Sequence, residues 1–187
     1  MANMTQKNIE ILGKRAVQGD ILAQYNLGNA YYKEQDYEKA VYWYTIAAEQ
    51  GNTDAQFELA NAYYKGEGVE LDDEKAAYWY KKSAEQGNAD AQFELGYCYE
   101  VGEGVKQDYK KAVYWYTKSA EQGNANAQCE LGYCYEVGKG VKKDYRKATY
   151  WYEKSAEQNN KMAIEAIKTL KDYFKETNDD EEIECQK

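Results

Sequence analysis

The sequence predicts an all-α solenoid of stacked helix-turn-helix units, and three observations support this fold class. Blocks Gly51–Gln86, Gly87–Gln122 and Gly123–Gln158 align without a gap at a period of 36 residues. A shorter copy, Gly19–Gln50, precedes them. Each block also holds two apolar stripes with helical spacing, separated by a turn. Such self-similarity is typical of repeat proteins whose units bury their apolar faces against their neighbours.

The segment before the repeats, residues 1–18, is predicted to hold an N-terminal capping helix. Residues 5–18 align with the second helix of a unit, and Ile11, Leu12 and Ala16 fall at its apolar places. Terminal units of a solenoid differ from internal ones because one of their sides meets solvent. No basic start followed by an apolar stretch marks a signal peptide here, so we expect a cytoplasmic protein. Export without an N-terminal signal is the alternative.

Four repeats follow, and we assign them to residues 19–50, 51–86, 87–122 and 123–158. In the second unit the first helix carries an inward stripe of Ala55, Leu59 and Tyr63, and Asn52 is its expected N-cap. Two glycines then break the helix, and Val69 is expected to fold back over the core. Either of two aspartates, Asp72 or Asp73, caps the second helix.

The second helices share a Trp-Tyr pair followed one turn later by small residues. The four tryptophans of the chain all occupy this place: Trp43, Trp79, Trp115 and Trp151. We predict that their rings lie in the core, where large and small side chains interdigitate. The alternative is a platform on which a ligand stacks. Buried glutamines are also expected, because a polar residue repeated in every unit indicates hydrogen bonding between repeats: Gln24, Gln56, Gln92 and Gln128.

The C-terminal end is predicted to hold a capping helix within residues 159–177. Its inward stripe consists of Ala163, Ala166, Ile167, Leu170 and Phe174. Residues 178–187 are acidic and poor in apolar side chains, so a disordered tail is expected there.

Composition limits the function classes. The formal net charge of −9 argues against nucleic acid or an anionic membrane as the main partner and suits a basic or amphipathic one. No apolar run reaches the length of a membrane-spanning helix. The chain has no histidine and no C-x-x-C, P-loop or nucleophile-elbow motif, so we predict no metal, no cofactor and no enzymatic activity. A hydrolase with paired carboxylates is the remaining catalytic alternative.

The spaced pattern of the repeats resembles the Sel-one-like repeat, a 36-residue relative of the tetratricopeptide repeat. In the third unit the matching residues are Gly87, Asn88, Ala91, Gln92, Leu95, Gly96, Tyr99, Gly102, Gly104, Val105, Lys111, Ala112, Trp115, Tyr116, Ala120, Glu121 and Gln122. The resemblance implies a right-handed superhelix, with first helices on a concave face and second helices on a convex one. It also implies a non-catalytic scaffold or adaptor, a class that in bacteria includes host-interaction and interbacterial immunity proteins.

Analogy with tetratricopeptide arrays places the binding groove at the second, fifth, ninth and twelfth residues of each first helix. The expected partner-binding residues are Tyr25, Asn29, Tyr32, Phe57, Asn61, Tyr64, Phe93, Tyr97, Glu100, Tyr133 and Glu136. Aromatic side chains with an acidic and amide rim suit a protein or peptide partner that carries apolar anchors and basic residues. Two alternatives stay open: a small ligand or glycan stacked on these rings, and fifth-place rings that pack in the core.

Overall fold

The computed structural model describes residues 6–177, and that range folds into ten α-helices with no strand. Each helix packs on the helix before it and the helix after it along the chain. The first helices of the four repeats are α2, α4, α6 and α8, and the second helices are α3, α5, α7 and α9. The bounds are α1 (Gln6–Val17), α2 (Ile21–Lys33), α3 (Tyr37–Glu49), α4 (Thr53–Lys65), α5 (Asp73–Glu85), α6 (Ala89–Val101), α7 (Tyr109–Glu121), α8 (Ala125–Val137), α9 (Tyr145–Ala156) and α10 (Lys161–Thr177).

Side-chain caps define where the helices begin. The Asn52 side chain accepts a hydrogen bond from the Ala55 amide at 2.7 Å, which confirms the predicted N-cap of α4. Of the two candidate caps of α5, Asp72 is the one used, and its carboxylate accepts from the Lys75 amide at 2.9 Å. These bonds satisfy amide groups that have no partner within a helix.

The glycine-containing loop of each full repeat packs against the preceding repeat. Gly104 has φ 66°, and a Cβ atom built there would overlap the carbonyl oxygen of Asp73 and lie 2.9 Å from the Glu74 nitrogen. Gly68 and Gly140 approach the starts of α3 and α7 in the same way. Main-chain atoms therefore form part of every contact between a full repeat and the repeat before it.

The core of each unit contains a tyrosine rather than the expected tryptophan. Tyr44, Tyr80, Tyr116 and Tyr152 are buried, whereas the tryptophan before each of them is half-buried. Trp79 contacts the core of its own repeat and that of the repeat before it. The prediction of core tryptophans was therefore inaccurate, because the indole bridges two units at their edge while the following tyrosine fills the centre of one.

The repeated glutamines confirm the predicted hydrogen bonding between repeats. The Gln92 side-chain amide donates to the Ala84 carbonyl at 3.0 Å, and its oxygen accepts from Gln122 Nε2 at 2.7 Å. The equivalent bonds recur at the other three units, at Gln24, Gln56 and Gln128. Buried amides are thus fully paired, as a protein interior requires.

Both ends of the array are closed by helices, as the sequence indicates. In α10 the side chains of Ala163, Leu170 and Phe174 are buried and those of Ala166 and Ile167 are half-buried. In α1, Ala16 is buried and Leu12 half-buried. Ile11 of the same helix is 48% exposed, which departs from the prediction because no described helix precedes α1 to cover that side. The predicted acidic tail lies outside the described residues. No described helix is long and apolar enough to span a membrane.

Candidate functional site

The outward residues of α2, α4, α6 and α8 form the surface on which binding was predicted, and we call this surface the first-helix face. Three of the predicted residues are exposed there: Tyr32 and Tyr97 at 36% and Tyr133 at 43%. The other predicted residues are half-buried: Tyr25, Asn29, Phe57, Asn61, Tyr64, Phe93, Glu100 and Glu136. Three of the predicted residues are thus exposed enough to meet a partner, and the other eight are partly covered by the protein itself.

The fifth-place rings lie between the surface and the core. The Phe57 ring centroid is 6.0 Å from that of Tyr80, and the Phe93 centroid is 5.8 Å from that of Tyr116. Each of these phenyl rings is thus partly covered by the core of its own repeat. Removing either phenyl ring would also loosen its repeat, so these positions give an ambiguous test of binding.

Four of the predicted groove residues serve as acceptors for the buried core tyrosines. The Tyr44 and Tyr80 hydroxyls donate to Asn29 and Asn61 at 2.8 and 2.7 Å. In the third and fourth units the acceptor changes, and the Tyr116 and Tyr152 hydroxyls donate to Glu100 and Glu136, each at 2.6 Å. These four acceptors have a structural role inside their own repeats. The change is visible in sequence, because the ninth and twelfth places hold Asn and Tyr in the first two units but Tyr and Glu in the last two.

Three glutamates at the sixth place of the first helices were not predicted as site residues. Glu58, Glu94 and Glu130 are half-buried, and burial raises the pKa of each carboxyl. Glu58 accepts a long hydrogen bond of 3.4 Å from Asn61. Within residues 6–177, neither Glu94 nor Glu130 has a hydrogen bond or an ion pair. We call Glu58, Glu94 and Glu130 the glutamate column. Its sequence signal was the recurrence of one acidic residue immediately before the core leucine of three units.

The glutamate column predicts an unusual pH dependence of stability. Because the folded-state pKa values exceed the ordinary 4.5, ionising these groups opposes folding; this penalty grows as the pH rises above 4.5 and is lost as the pH falls below it. The variant Glu58→Gln/Glu94→Gln/Glu130→Gln should therefore have a higher Tm than the wild type at neutral pH, by roughly 2–4 °C. The difference should shrink as the pH falls and vanish below pH 4.5, as measured by thermal unfolding followed by circular dichroism.

A matched variant, Glu38→Gln/Glu49→Gln/Glu121→Gln, removes the same charge from exposed positions of second helices and should leave the Tm almost unchanged. A column variant that melts below the wild type at neutral pH would contradict the assignment. Below pH 3.8 every variant should lose stability, because bonds to backbone amides and to lysine or arginine side chains lower the pKa of the capping carboxyls Asp20, Asp36 and Asp72.

At each junction between successive repeats, the twelfth residue of a first helix faces the residue between the two loop glycines of the next repeat. The Tyr32 hydroxyl donates to Glu67 Oε2 at 3.0 Å. At the third junction Lys139 Nζ lies 2.8 Å from Glu100 Oε1 and 4.8 Å from the centroid of the Tyr109 ring. At the second junction the loop residue is Glu103, and its Oε2 is buried without a hydrogen-bond partner in the described part of the chain.

The described residues contain no group of three or more His, Cys, Asp or Glu side chains arranged to hold a metal ion. The cysteines that the structure describes, Cys98, Cys129 and Cys134, are buried free thiols, and burial raises the pKa of each. A raised pKa keeps a thiol protonated and unreactive. These side chains therefore pack as small apolar groups.

Comparison with known families and structures fits this geometry. The Sel1 repeat family profile matches residues 21–52, 53–88, 89–124 and 125–160, in a frame two residues later than the units assigned from sequence. Comparison with curated proteins gives no match.

Among solved structures, a protective antigen of uropathogenic Escherichia coli strains with an SLR fold is 41% identical, with a TM-score of 0.81 over 83% of this chain and 34% of that one. A Sel1 repeat protein from Oxalobacter formigenes is 38% identical, with a TM-score of 0.80 over 88% of this chain and 49% of that one. Cysteine rich protein B of Helicobacter pylori is 26% identical, with a TM-score of 0.56 over 70% and 94%. The chain thus spans about a third of the length of the first of these proteins and about half of the length of the second.

Proposed function

Because this chain belongs to the Sel1 repeat family, we propose that it is a non-catalytic adaptor whose first-helix face binds a basic or amphipathic peptide segment of a partner protein. Sel1 repeat proteins are right-handed helical solenoids that generally mediate protein–protein interactions. An adaptor needs an accessible surface with specific chemistry, and the first-helix face supplies one.

The glutamate column is the observation that supports a basic partner. The charge of Lys65 acts on Glu58 and Glu94, and that of Lys139 acts on Glu130, but neither lysine forms an ion pair with the column in the described range. Each half-buried carboxylate has therefore lost part of its hydration without gaining an ion pair, which destabilises the fold. A lysine or arginine side chain from a partner would supply the missing charge in a partly desolvated setting, where ion pairs are strongest. The column repeats once per unit, so an extended or helical segment along the array would meet it several times.

The exposed tyrosines supply apolar contact beside the column. Tyr97 and Tyr133 lie three residues after Glu94 and Glu130, one helical turn along the same face. Tyrosines are frequent anchors at interfaces because they bury a large ring at little entropic cost. A neutral glycan could stack on the same rings, but it would gain nothing from the carboxylates, and this difference favours the peptide.

We place the adaptor in the cytoplasm, a compartment that keeps buried thiols reduced. The narrower proposal is a role in bacterial host interaction or interbacterial immunity. One structure similar to this chain is described as a protective antigen of uropathogenic Escherichia coli, and that description supports the first of these two settings.

A direct test uses two labelled amphipathic helical peptides of about 15 residues. The first has a leucine face and a lysine face, and the second has glutamate at every lysine position. We expect the wild type to bind the lysine peptide in a fluorescence-anisotropy titration. The column variant Glu58→Gln/Glu94→Gln/Glu130→Gln should bind it at least about tenfold more weakly, a loss of about 1.4 kcal/mol. The variant Glu38→Gln/Glu49→Gln/Glu121→Gln has the same net charge as the column variant, but it should bind the lysine peptide as tightly as the wild type does.

The proposal fails if the column variant and the exposed-surface variant weaken binding equally, because net charge alone would then explain the affinity. It also fails if the glutamate peptide binds as tightly as the lysine peptide. Circular dichroism of each variant verifies that the helices are retained.

A further inference from the structure

We propose that the junction between the second and third repeats holds a pocket for a single ammonium or guanidinium group, formed by Tyr64, Glu94, Tyr97 and Glu103. The inference rests on the proposed function, since the cation would be a lysine or arginine side chain of the bound peptide. It adds to that function a defined anchor position, which the other two junctions lack.

The three junctions share one geometry but differ in the residues that meet. At the first, a tyrosine hydroxyl donates to the loop carboxylate of Glu67. At the third, the loop residue is a lysine, and its ammonium pairs with Glu100. The same register brings Tyr64 to Glu103 at the second junction, but no hydrogen bond joins the two.

Glu103 therefore lacks the polar partner that Glu67 and Lys139 have at the other two junctions. One of its carboxylate oxygens is buried without a partner in the described part of the chain. Such an oxygen loses its hydration without compensation, and each unsatisfied buried group requires an explanation. Glu94, on the facing helix, also has no ion pair or hydrogen bond within residues 6–177. Two carboxylates without a cation thus border one junction.

The third junction shows what satisfies this arrangement. Lys139 occupies the place of Glu103, and its ammonium lies against the Glu100 carboxylate and over the ring of Tyr109. Its charge also lowers the pKa of Glu130, the counterpart of Glu94. The third junction therefore carries its own cation between an acid and an aromatic ring. At the second junction the described residues supply the acids and rings, but none of their lysines forms an ion pair with either acid.

Two tyrosines complete the pocket. Burial raises the pKa of Tyr64, and the carboxylates of Glu103 and Glu94 raise it further, so both charges act on its hydroxyl. Tyr97 lies one helical turn after Glu94 on α6. Tyrosine faces and carboxylates together are the usual surroundings of a bound ammonium group. The competing cation of the chain is Lys65, which lowers the pKa of Glu94. Its side chain is exposed and makes no ion pair within 4 Å in the described range.

The test is an NMR titration with N-acetyl-lysine-methylamide, monitored by the ring signals of Tyr64 and Tyr97, with N-acetyl-norleucine-methylamide as the uncharged control. We expect saturable shifts with the lysine probe and none with the norleucine probe. The variants Glu94→Gln and Glu103→Gln should each weaken binding at least about tenfold. Glu130→Gln is the matched control, because it removes the equivalent carboxylate from the junction where Lys139 already supplies a cation. It should leave the titration unchanged.

A second variant tests the comparison between junctions. Tyr64→Glu/Glu103→Lys copies the third junction into the second, so its own lysine should occupy the pocket and abolish the response at Tyr97. Equal shifts from the two probes, or equal weakening by Glu130→Gln and Glu94→Gln, would overturn the pocket. If the lysine peptide binds but the lysine probe does not, the pocket is wrong and the adaptor proposal stands. If only the small probe binds, the adaptor proposal is wrong and the pocket stands.

Discussion

Replacing Gly104 with alanine should lower the free energy of unfolding by about 4 kcal/mol or more, a loss that few single substitutions reach. Two costs combine at this position. The backbone has φ 66°, where a side chain is strained by about 1–2 kcal/mol. The new methyl group would also overlap the carbonyl oxygen of Asp73, and neither backbone can retreat without separating two repeats. Urea unfolding followed by tryptophan fluorescence measures the effect.

The matched control for Gly104→Ala is Gly123→Ala. Gly123 also has a positive φ, of 93°, but no atom lies within 4 Å of the position of its Cβ. Its replacement should therefore carry the conformational cost alone, about 1–2 kcal/mol. Because solenoid units are stabilised through their neighbours, we also expect the Gly104 variant to unfold less cooperatively. Equal losses in the two variants would show that the contact between loop and helix contributes nothing.

The second large effect is expected at Tyr116, which has no exposed surface. Tyr116→Ala should lower the free energy of unfolding by about 3–5 kcal/mol, because it removes an aromatic side chain from a closely packed site. Tyr116→Phe keeps the ring and loses only the 2.6 Å hydrogen bond to Glu100, so it should cost about 1.5–3 kcal/mol. Both values come from urea unfolding curves.

Tyr114 provides the control for Tyr116, two residues earlier on the same helix. Its ring is 53% exposed, packs edge-to-face with the Trp115 indole at a centroid distance of 5.0 Å and has Lys118 Nζ 5.7 Å from its centroid. Tyr114→Ala should therefore cost at most about 1 kcal/mol. If Tyr114 and Tyr116 prove equally sensitive, the assignment of the core residue in the Trp-Tyr pair is wrong.

The repeat architecture and the helix caps could be predicted because their signals are local. A cap such as Asn52 needs only its own side chain and an amide three residues later. The glutamine bonds could be predicted for a related reason, since a polar residue repeated in every unit must find a partner if it is buried. The different burial of Trp79 and Tyr80 could not be predicted, because adjacent residues on one apolar stripe differ only in which neighbouring helix they contact.

The candidate site was predicted less completely. Analogy selected the ninth and twelfth places, where Asn61 and Glu100 turned out to be acceptors for core tyrosines. It passed over the sixth place, because an isolated glutamate such as Glu94 reads as a solvated charge. Whether that carboxylate is half-buried depends on how close the helix of the next repeat lies. Helical periodicity within one repeat holds no information about the distance between two repeats.

The loop glycines have a consequence for how such a surface diversifies. At Gly68, Gly104 and Gly140, successive units dock through main-chain atoms, which are the same whatever side chains point outward. The contact between units is then independent of the side chains that point outward. Whole units could be exchanged or duplicated, each bringing its own charged and aromatic groups to the same backbone contact. Reordering the units would change the order of the side chains presented to a partner and leave the backbone framework unchanged.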